Sequence, residues 1–474
     1  MRVKLFFIVV AISFYCNSLI AQESDQKYYP TTDSLVKAKL EWWQGIKFGL
    51  LMHWGTYSQW GIVESWSLCP EDEGWCERKG SYSKNYFEYK RAYEDLIKTF
   101  NPVGFDPTKW AKAAKDAGMR YVVFTTKHHD GFCMFDTKQS DYKITNPICP
   151  FSSNPKSNIA NEVFSAFRNE GLGVGAYFSK PDWHCSDYWD PYFPPFDRNP
   201  NYDLKKYPEK WSRYKDFTFN QIKELMSDYG KIDILWLDGG WVQPMTETSP
   251  RWGKTPMNQD IDMPNIAKMA RSLQPGLIIV DRAVEGNYQD YLTPEQQLPD
   301  KLLPYPWETC MTMATSWSYV QNDKYKPTRE LIHLLCKIVS RGGNFLLNVA
   351  PGPNGDFDQI AYDRLKEIGA WMKVNGEAIY GTKPIAPYQS NNVVFTSKGK
   401  NIYAIYLVNE DEKLLPEKIF LEGISIEKGI KISTQSNSKT LNYSVKKEGV
   451  EVEIPSSYRS VRKDDYAIVF KISE

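Results

Sequence analysis

The feature of this sequence that most restricts its fold is an alternation of amphipathic helices and short apolar strands between residues 46 and 374. Most predicted helices end at or near a glycine, and the next run of apolar, β-branched or aromatic residues has the length of a strand that is buried on both faces. The predicted helices span 107–118, 162–170, 219–229, 266–273, 329–340 and 362–374. The predicted strands span 46–54, 121–125, 173–178, 232–237, 277–280, 308–313 and 344–349. Parallel βα units in this number predict a (β/α)8-like TIM barrel, an α/β fold, rather than an open doubly wound sheet.

Both ends of the chain differ from this central region. Arg2 and Lys4 precede an apolar run at 5–14, and Ala21 is a plausible cleavage point, so residues 1–21 are predicted to be a signal peptide. The run is too short for a membrane span, and we expect export to the periplasm or the exterior, with a lipoprotein attached at Cys16 as the alternative. From about residue 381 the helical pattern stops, and strand-like runs at 393–396, 402–408 and 466–472 are typical of a β-sandwich. The predicted domains are therefore the signal peptide (1–21), the barrel (22–380) and the C-terminal β-sandwich (381–474).

Composition excludes some partners and favours another. Lys plus Arg and Asp plus Glu both number 58, so nothing indicates nucleic acid or an anionic membrane surface as a partner. The chain has 16 Trp and 30 Tyr, and aromatic rings pack well on the apolar faces of sugars, although a large core also uses them. The sequence contains no Cys-x-x-Cys, which disfavours a thiolate zinc site, and Cys69 with Cys76 is the disulfide that we consider.

Polar side chains follow the predicted strands where an active face would lie. In a barrel this face is formed by the C-terminal ends of the strands. Asp238 ends the apolar run 232–237 and precedes two glycines, although an isolated Asp-Gly is also typical of a turn or a cap. Three of the five histidines are at or after predicted strand ends, and Arg282 and Glu308 join them in this set: His53, His128, His129, Asp238, Arg282 and Glu308. An irregular segment, 64–93, is long enough to be a loop of the site.

Two chemistries fit these residues. In a metal-dependent hydrolase on a TIM barrel, His and Asp side chains would bind a metal that activates water. Adjacent residues of a strand point to opposite faces, so His128 and His129 would need a bend to bind one metal. In a glycoside hydrolase, two carboxylates would do the chemistry and the histidines would bind sugar hydroxyls without a metal. Asp238 would then be one carboxylate, and Glu295 or Glu308 the other.

Several motifs resemble those of the α-L-fucosidases of glycoside hydrolase family 29. They are FGLLMHWG at 48–55, TTKHHDGFCMFDT at 125–137, LWLDGGW at 235–241, WETC at 307–310 and SRGGNFLLNVAPGPNG at 340–355. The resemblance extends over about 42–380. It implies an exo-acting, retaining enzyme with a barrel and a C-terminal β-sandwich, a fucosylated glycan or oligosaccharide as substrate, and no metal or other cofactor. A catalytically inactive fucose-binding protein is the other alternative, disfavoured because both carboxylates and the histidines occur together.

The resemblance also assigns roles to individual residues. Asp238 matches the nucleophile. Glu295, in the Thr-Pro-Glu pattern at 293–295, resembles the acid/base, which family members place at different points of a variable loop; Glu308 is the fallback. A first-turn helix position after Pro294 is the other interpretation of Glu295. The residues expected to bind fucose or line its pocket are His53, Trp66, His128, His129, Tyr177, Trp236, Arg282, Glu308 and Trp317. A serine of Ser-Trp-Ser-Tyr at 316–319 replaces a common glycine and is expected to alter the pocket wall, while the linkage that is cut stays open.

Overall fold

The computed structural model describes residues 27–69, 78, 80–427 and 429–473. The predicted signal peptide, Cys16 and Cys76 lie outside these residues, so the predicted cleavage and the considered disulfide are not addressed by the structure. Within the described ranges, every helix is too short or too polar to cross a membrane.

Seven parallel strands form the central sheet, and each corresponds to a predicted strand. They are β1 Phe48–Met52, β2 Tyr121–Lys127, β3 Gly173–Ser179, β4 Ile234–Asp238, β5 Ile278–Asp281, β6 Glu308–Thr312 and β7 Asn344–Asn348. Their order is β5-β4-β3-β2-β1-β7-β6, which leaves β5 and β6 at the two edges. The parallel sheet, followed by C-terminal antiparallel sheets, confirms the predicted fold class.

An irregular segment, 289–296, spans the gap between the two edge strands. Val280 of β5 forms an isolated antiparallel bridge with Gln289, and Glu295 forms an isolated parallel bridge with Cys310 of β6. The sheet therefore curls toward closure through this segment and not through an eighth regular strand. Glu295 lies in an extended bridge and not in the first turn of a helix.

Eight helices are present among the described residues. They are α1 Ser34–Ile46, α2 Tyr86–Glu94, α3 Pro107–Asp116, α4 Ile159–Asn169, α5 Pro208–Asp228, α6 Met263–Leu273, α7 Thr328–Ser340 and α8 Gln359–Asn375. The six predicted helices are all found, but α5 begins at Pro208, well before the predicted 219. The expectation of an irregular segment over 64–93 is wrong at its end, because α2 begins there with Asn85 as N-cap, whose side chain accepts from the amides of Phe87 and Glu88.

Alternation along the strands decides which residues reach the active face. Leu51, Tyr177, Trp236 and Val280 belong to one cluster of buried residues enclosed by the curled sheet. Side chains two positions apart in a strand point to the same face. The residues two positions further along are therefore directed to the same side at the C-terminal edge: His53, Ser179, Asp238 and Arg282.

The C-terminal part consists of two antiparallel sheets. Their strands are β8 Lys383–Ser390, β9 Val393–Lys398, β10 Asn401–Leu407, β11 Lys418–Glu422, β12 Lys431–Thr434, β13 Asn437–Thr440, β14 Tyr443–Lys446, β15 Gly449–Glu453 and β16 Ala467–Ser473. One sheet has the order β13-β12-β16-β10-β9-β8 and the other β11-β15-β14, with an apolar core shared between them. The larger sheet is joined to α7 and α8, since the indole N–H of Trp371 donates to the carbonyl of Ala467 at 2.8 Å and Arg329 donates to the carbonyl of Val408 at 2.9 Å.

Candidate active site

A cavity of about 370 Å³ opens at the C-terminal edge of the parallel sheet. Nine of the eleven predicted site residues line it: His53, Trp66, His128, His129, Trp236, Asp238, Arg282, Glu295 and Trp317. Tyr177 and Glu308 are the two that do not. The cavity therefore gathers residues at or just after the ends of β1, β2, β4 and β5, from the segment 64–93, and from the segments before and after β6.

Asp238, the last residue of β4, is held by three donors. The hydroxyl of Tyr177 donates to its Oδ2 at 2.6 Å, the amide of Gly239 to Oδ1 at 2.8 Å, and a guanidinium N–H of Arg282 to Oδ1 at 3.0 Å. Burial by itself raises the pKa of Asp238, but the positive charge of Arg282 and the Tyr177 hydrogen bond contribute to a pKa well below the usual range. Asp238 is therefore ionised at neutral pH. Tyr177 binds this carboxylate through its hydroxyl although its own side chain does not line the cavity.

Arg282 contacts both predicted catalytic carboxylates. Its Nη1 binds Asp238, and its Nη2 forms an ion pair with Oε2 of Glu295. The side chain of Asp238 is 14% exposed and that of Glu295 is 38% exposed, so Glu295 lies nearer to the cavity mouth. One planar guanidinium thus holds the two carboxylates side by side.

The three histidines of the cavity are neutral at neutral pH. Burial lowers the pKa of His53, lowers that of His128 well below its usual range and lowers that of His129 to about 4. Each ring is fixed by a neighbour: Nδ1 of His53 is 2.9 Å from Oδ1 of Asn348, and His128 and His129 bond through Nδ1 to serine hydroxyls. Neutral imidazoles with one fixed nitrogen present the other nitrogen to a ligand.

His128 and His129 lie on the same side of the sheet, because the chain makes the bend that a shared site requires. β2 ends at Lys127 and the chain turns immediately after it, so the two rings lie 4.1 Å apart between centroids, tilted by 37°. One ligand atom from each of His128, His129 and Asp238 lies within 4.8 Å of the others, a spacing that a small cation can bridge. The guanidinium of Arg282, bound to the same carboxylate, places a positive charge beside that position.

Glu308 is separate from the cavity lining. It is the first residue of β6 and is paired with Asn344, the first residue of β7, so it lies toward the opposite edge of the sheet from the site. Its carboxyl group is fully buried and accepts hydrogen bonds from the hydroxyls of Tyr121 and Tyr291. Burial raises the pKa of Glu308 to about 7. Glu308 begins its strand, whereas the cavity lies at the C-terminal ends of the strands. Its position therefore does not support the predicted contact with the substrate.

Glu64 is a cavity residue that sequence reasoning did not single out. It belongs to the segment predicted as a site loop, and its carboxyl group is buried against Ser318, whose amide donates to it at 2.7 Å. Burial raises the pKa of Glu64 to about 8. The hydroxyl of Ser318 accepts from the amide of Glu64 at 3.2 Å and donates to the carbonyl of Ile62 at 2.5 Å. The serine of the Ser-Trp-Ser-Tyr motif therefore fastens the cavity wall that carries Trp317 to this loop.

The outer wall of the cavity is aromatic. The guanidinium of Arg198 lies 5.0 Å from the ring centroids of Trp66 and Trp241 and 5.7 Å from that of Trp252. Apart from Trp66, these residues were not predicted: Trp241 closes the LWLDGGW motif but was given no role, and Arg198 and Trp252 lie outside the motifs, in loops after β3 and β4. They give the cavity a second, less polar end beyond the carboxylates and histidines.

Comparison with known proteins identifies relatives over most of the chain. A family model described as Alpha-L-fucosidase matches residues 16–377. The tissue alpha-L-fucosidase of Homo sapiens is 30% identical over 81% of this chain and 78% of its own length. Among solved structures, alpha-L-fucosidase isoenzyme 1 from Paenibacillus thiaminolyticus is 32% identical, with a TM-score of 0.74 over 93% of this chain and 99% of that one. The Thermotoga maritima alpha-fucosidase in complex with a mechanism based inhibitor is 26% identical, with a TM-score of 0.71 over 94% of this chain and all of that one.

Proposed function

The chain belongs to the α-L-fucosidase family of glycoside hydrolases, and we propose that Asp238 and Glu295 carry out its reaction as nucleophile and acid/base. Membership confirms the family resemblance seen in the motifs, and the enzyme is an exo-acting, retaining α-L-fucosidase. The metal-dependent hydrolase and the inactive fucose-binding protein are both disfavoured by it. The observation that carries the residue assignment is the contact of one arginine, Arg282, with both carboxylates inside the cavity.

The first step forms a fucosyl-enzyme. Asp238, ionised and fixed by Tyr177 and Arg282, attacks the anomeric carbon of the fucoside, and the bond from that carbon to the leaving oxygen breaks. Glu295 transfers its proton to the departing oxygen. The greater exposure of Glu295 agrees with this role, because the leaving group departs toward the mouth of the cavity.

The second step releases fucose. Glu295, now a carboxylate, takes a proton from a water molecule that attacks the anomeric carbon, and the bond to Asp238 breaks. Two displacements at one carbon retain its configuration. The geometry needed is a pair of carboxyl groups about 5–5.5 Å apart, and the shared guanidinium of Arg282 agrees with a close pair. The complex of the Thermotoga maritima relative with a mechanism based inhibitor supports the same chemistry.

Glu295 must be protonated before the first step. In the structure its Oε2 forms an ion pair with Arg282. We therefore expect the incoming glycoside to separate Glu295 from Arg282, so that Glu295 can donate to the departing oxygen. Arg282 then remains on Asp238 and keeps the nucleophile ionised.

The remaining cavity residues suit a ligand rich in hydroxyl groups. His53, His128 and His129 are neutral, and each has one ring nitrogen available to a hydroxyl. Glu64 adds a buried carboxyl group, and Trp317 adds an aromatic surface beside His53. We propose that these five residues bind the fucosyl group of a fucosylated glycan.

Azide distinguishes the two catalytic roles. In Asp238→Gly, azide can enter the space of the missing carboxylate, so an activated aryl α-L-fucoside should give the β-L-fucosyl azide. In Glu295→Ala, the fucosyl-enzyme still forms from a substrate whose leaving group needs no acid, and azide should give the α-L-fucosyl azide. Glu308→Gln is the matched control for the other candidate acid and should show no azide rescue. An α-azide from Glu308→Gln in place of Glu295→Ala would overturn the assignment.

We also propose that the enzyme is exported. The support is the sequence of residues 1–21, with basic residues before an apolar run and Ala21 at a plausible cleavage point. Expression of the full chain in a Gram-negative host, followed by N-terminal sequencing of the periplasmic protein, should find Gln22 first. A lipid-modified Cys16 at the N-terminus would favour the lipoprotein alternative.

A further inference from the structure

Two hydrogen bonds determine which ring nitrogen of His129 carries a proton. Ser179, the last residue of β3, is buried, and its hydroxyl donates to the carbonyl oxygen of Pro181 at 2.7 Å. Nδ1 of His129 lies 2.7 Å from the same hydroxyl oxygen. A serine hydroxyl has one proton to donate, and here it is directed to Pro181. The oxygen therefore accepts from His129, and Nδ1 of that ring is protonated.

The other nitrogen of this ring faces the proposed nucleophile. Nε2 of His129 is 3.8 Å from Oδ2 of Asp238, beyond the length of a hydrogen bond. Burial lowers the pKa of His129 to about 4, so the ring is neutral at neutral pH. With the proton on Nδ1, both Nε2 and Oδ2 are acceptors. The gap between them therefore suits a hydroxyl group of the sugar, which can donate to Nε2.

The opposite tautomer would interfere with the reaction. A proton on Nε2 would be directed at Oδ2 of Asp238, which already accepts from Tyr177. At 3.8 Å this N–H would still stabilise the carboxylate charge electrostatically and reduce its nucleophilicity, and His129 could no longer accept from the sugar. We propose that Ser179 is a positioning residue that holds His129 in the Nδ1-protonated form and so leaves Asp238 available for attack. This inference rests on the proposed role of Asp238.

The same arrangement recurs at His53. The amide nitrogen of Asn348 donates to the carbonyl of Trp317 at 2.7 Å, which turns its Oδ1 toward Nδ1 of His53 at 2.9 Å. His53 is therefore also protonated on Nδ1 and presents a bare Nε2. Two histidines from different strands thus have their tautomers set by buried neighbours, which makes the cavity a set of acceptors for a donor-rich ligand.

Nuclear magnetic resonance of the ring nitrogens tests the tautomer directly. The full chain is labelled with ¹⁵N-histidine, and its five histidines give few enough signals for the His129 ring to be identified by its loss in His129→Gln. We expect Nδ1–H in the ligand-free wild type, Nε2–H in Ser179→Ala, and Nδ1–H again in Ser179→Thr, which keeps the hydroxyl. Nε2–H in the wild type would overturn the proposal.

Kinetics test the consequence. Ser179→Ala should lower kcat on an aryl α-L-fucoside by about 10- to 150-fold, the range for one hydrogen bond to a charged group, and Ser179→Thr should recover most of it. Ser340→Ala is the matched control, because Ser340 is also buried and donates to a backbone carbonyl, that of Lys337 at 3.0 Å, away from the cavity. A changed tautomer with unchanged kcat would refute the catalytic consequence. An error in the role of Asp238 would appear separately, in the azide products and not in the nitrogen spectra.

Discussion

Replacement of Glu308 by glutamine should change how the stability of the protein depends on pH. The usual pKa of 4.5 rises to about 7 in the folded protein because the carboxyl group is buried between Tyr121 and Tyr291. Between these values the folded protein keeps a proton that the unfolded chain has released, so the free energy of unfolding falls as pH rises. At 1.36 kcal/mol per pKa unit, a rise of this size corresponds to roughly 3 kcal/mol. This stability is present in full below about pH 4.5 and is lost as pH rises through about 7.

Glu308→Gln removes the titrating group and nearly preserves its shape. Denaturant unfolding, followed by tryptophan fluorescence, gives the free energy of unfolding of both proteins at about pH 4.5 and about pH 8. The difference, wild type minus variant, should fall by roughly 3 kcal/mol between these pH values. A constant offset from altered hydrogen bonds to the tyrosines does not affect this comparison. Exposed Glu247→Gln controls for the loss of a surface charge, and parallel pH profiles of wild type and Glu308→Gln would refute the reasoning.

Three further predictions concern the metal alternative, the buried ion pair of Lys180 with Asp281, and the contact between α8 and the C-terminal sheet. Incubation with a chelator should leave kcat unchanged, and a loss of activity restored by Zn²⁺ would favour the metal-dependent hydrolase instead. Lys180→Met should lower the free energy of unfolding by about 3–5 kcal/mol, because it leaves the carboxylate of Asp281 buried without the 2.5 Å contact it now has; a loss below about 1 kcal/mol by denaturant titration would contradict this. Trp371→Phe should lower the free energy of unfolding by about 1–3 kcal/mol, since the carbonyl of Ala467 loses its indole donor. Calorimetry should then show earlier melting of the C-terminal sheets, and an unchanged profile would count against a stabilising role for this bond.

The regular elements were predictable because their side-chain periods are local. Apolar runs such as 232–237 and 344–349 have the composition of buried strands. Residues two positions apart in a strand point to the same face. The C-terminal ends of barrel strands share one face, and that rule places His53, Asp238 and Arg282 at one edge from the sequence alone. Glu308 does not follow that rule: the run 308–313 was recognised as a strand, but Glu308 is at its start and therefore lies at the opposite end from the cavity.

The irregular parts were less predictable because their positions depend on contacts between distant segments. Glu295 reaches the cavity through an isolated bridge to Cys310, a pairing that no periodic pattern in the sequence predicts. The side-by-side turn of His128 and His129 likewise depends on where β2 stops. For α2, a local signal did exist in Asn85, whose capping side chain is typical of a helix start.

The segment 289–296 has a consequence for how such enzymes diversify. Asp238 is part of a hydrogen-bonded strand, where an insertion would displace every later side chain to the opposite face. Glu295 is carried by isolated bridges, where residues can be added or removed without shifting the seven strands. The strand that carries the nucleophile therefore tolerates few changes in length. The segment that carries Glu295 and meets the leaving group tolerates more. New leaving-group preferences can be sought by varying the length of this segment in libraries, with the nucleophile and the histidines left untouched.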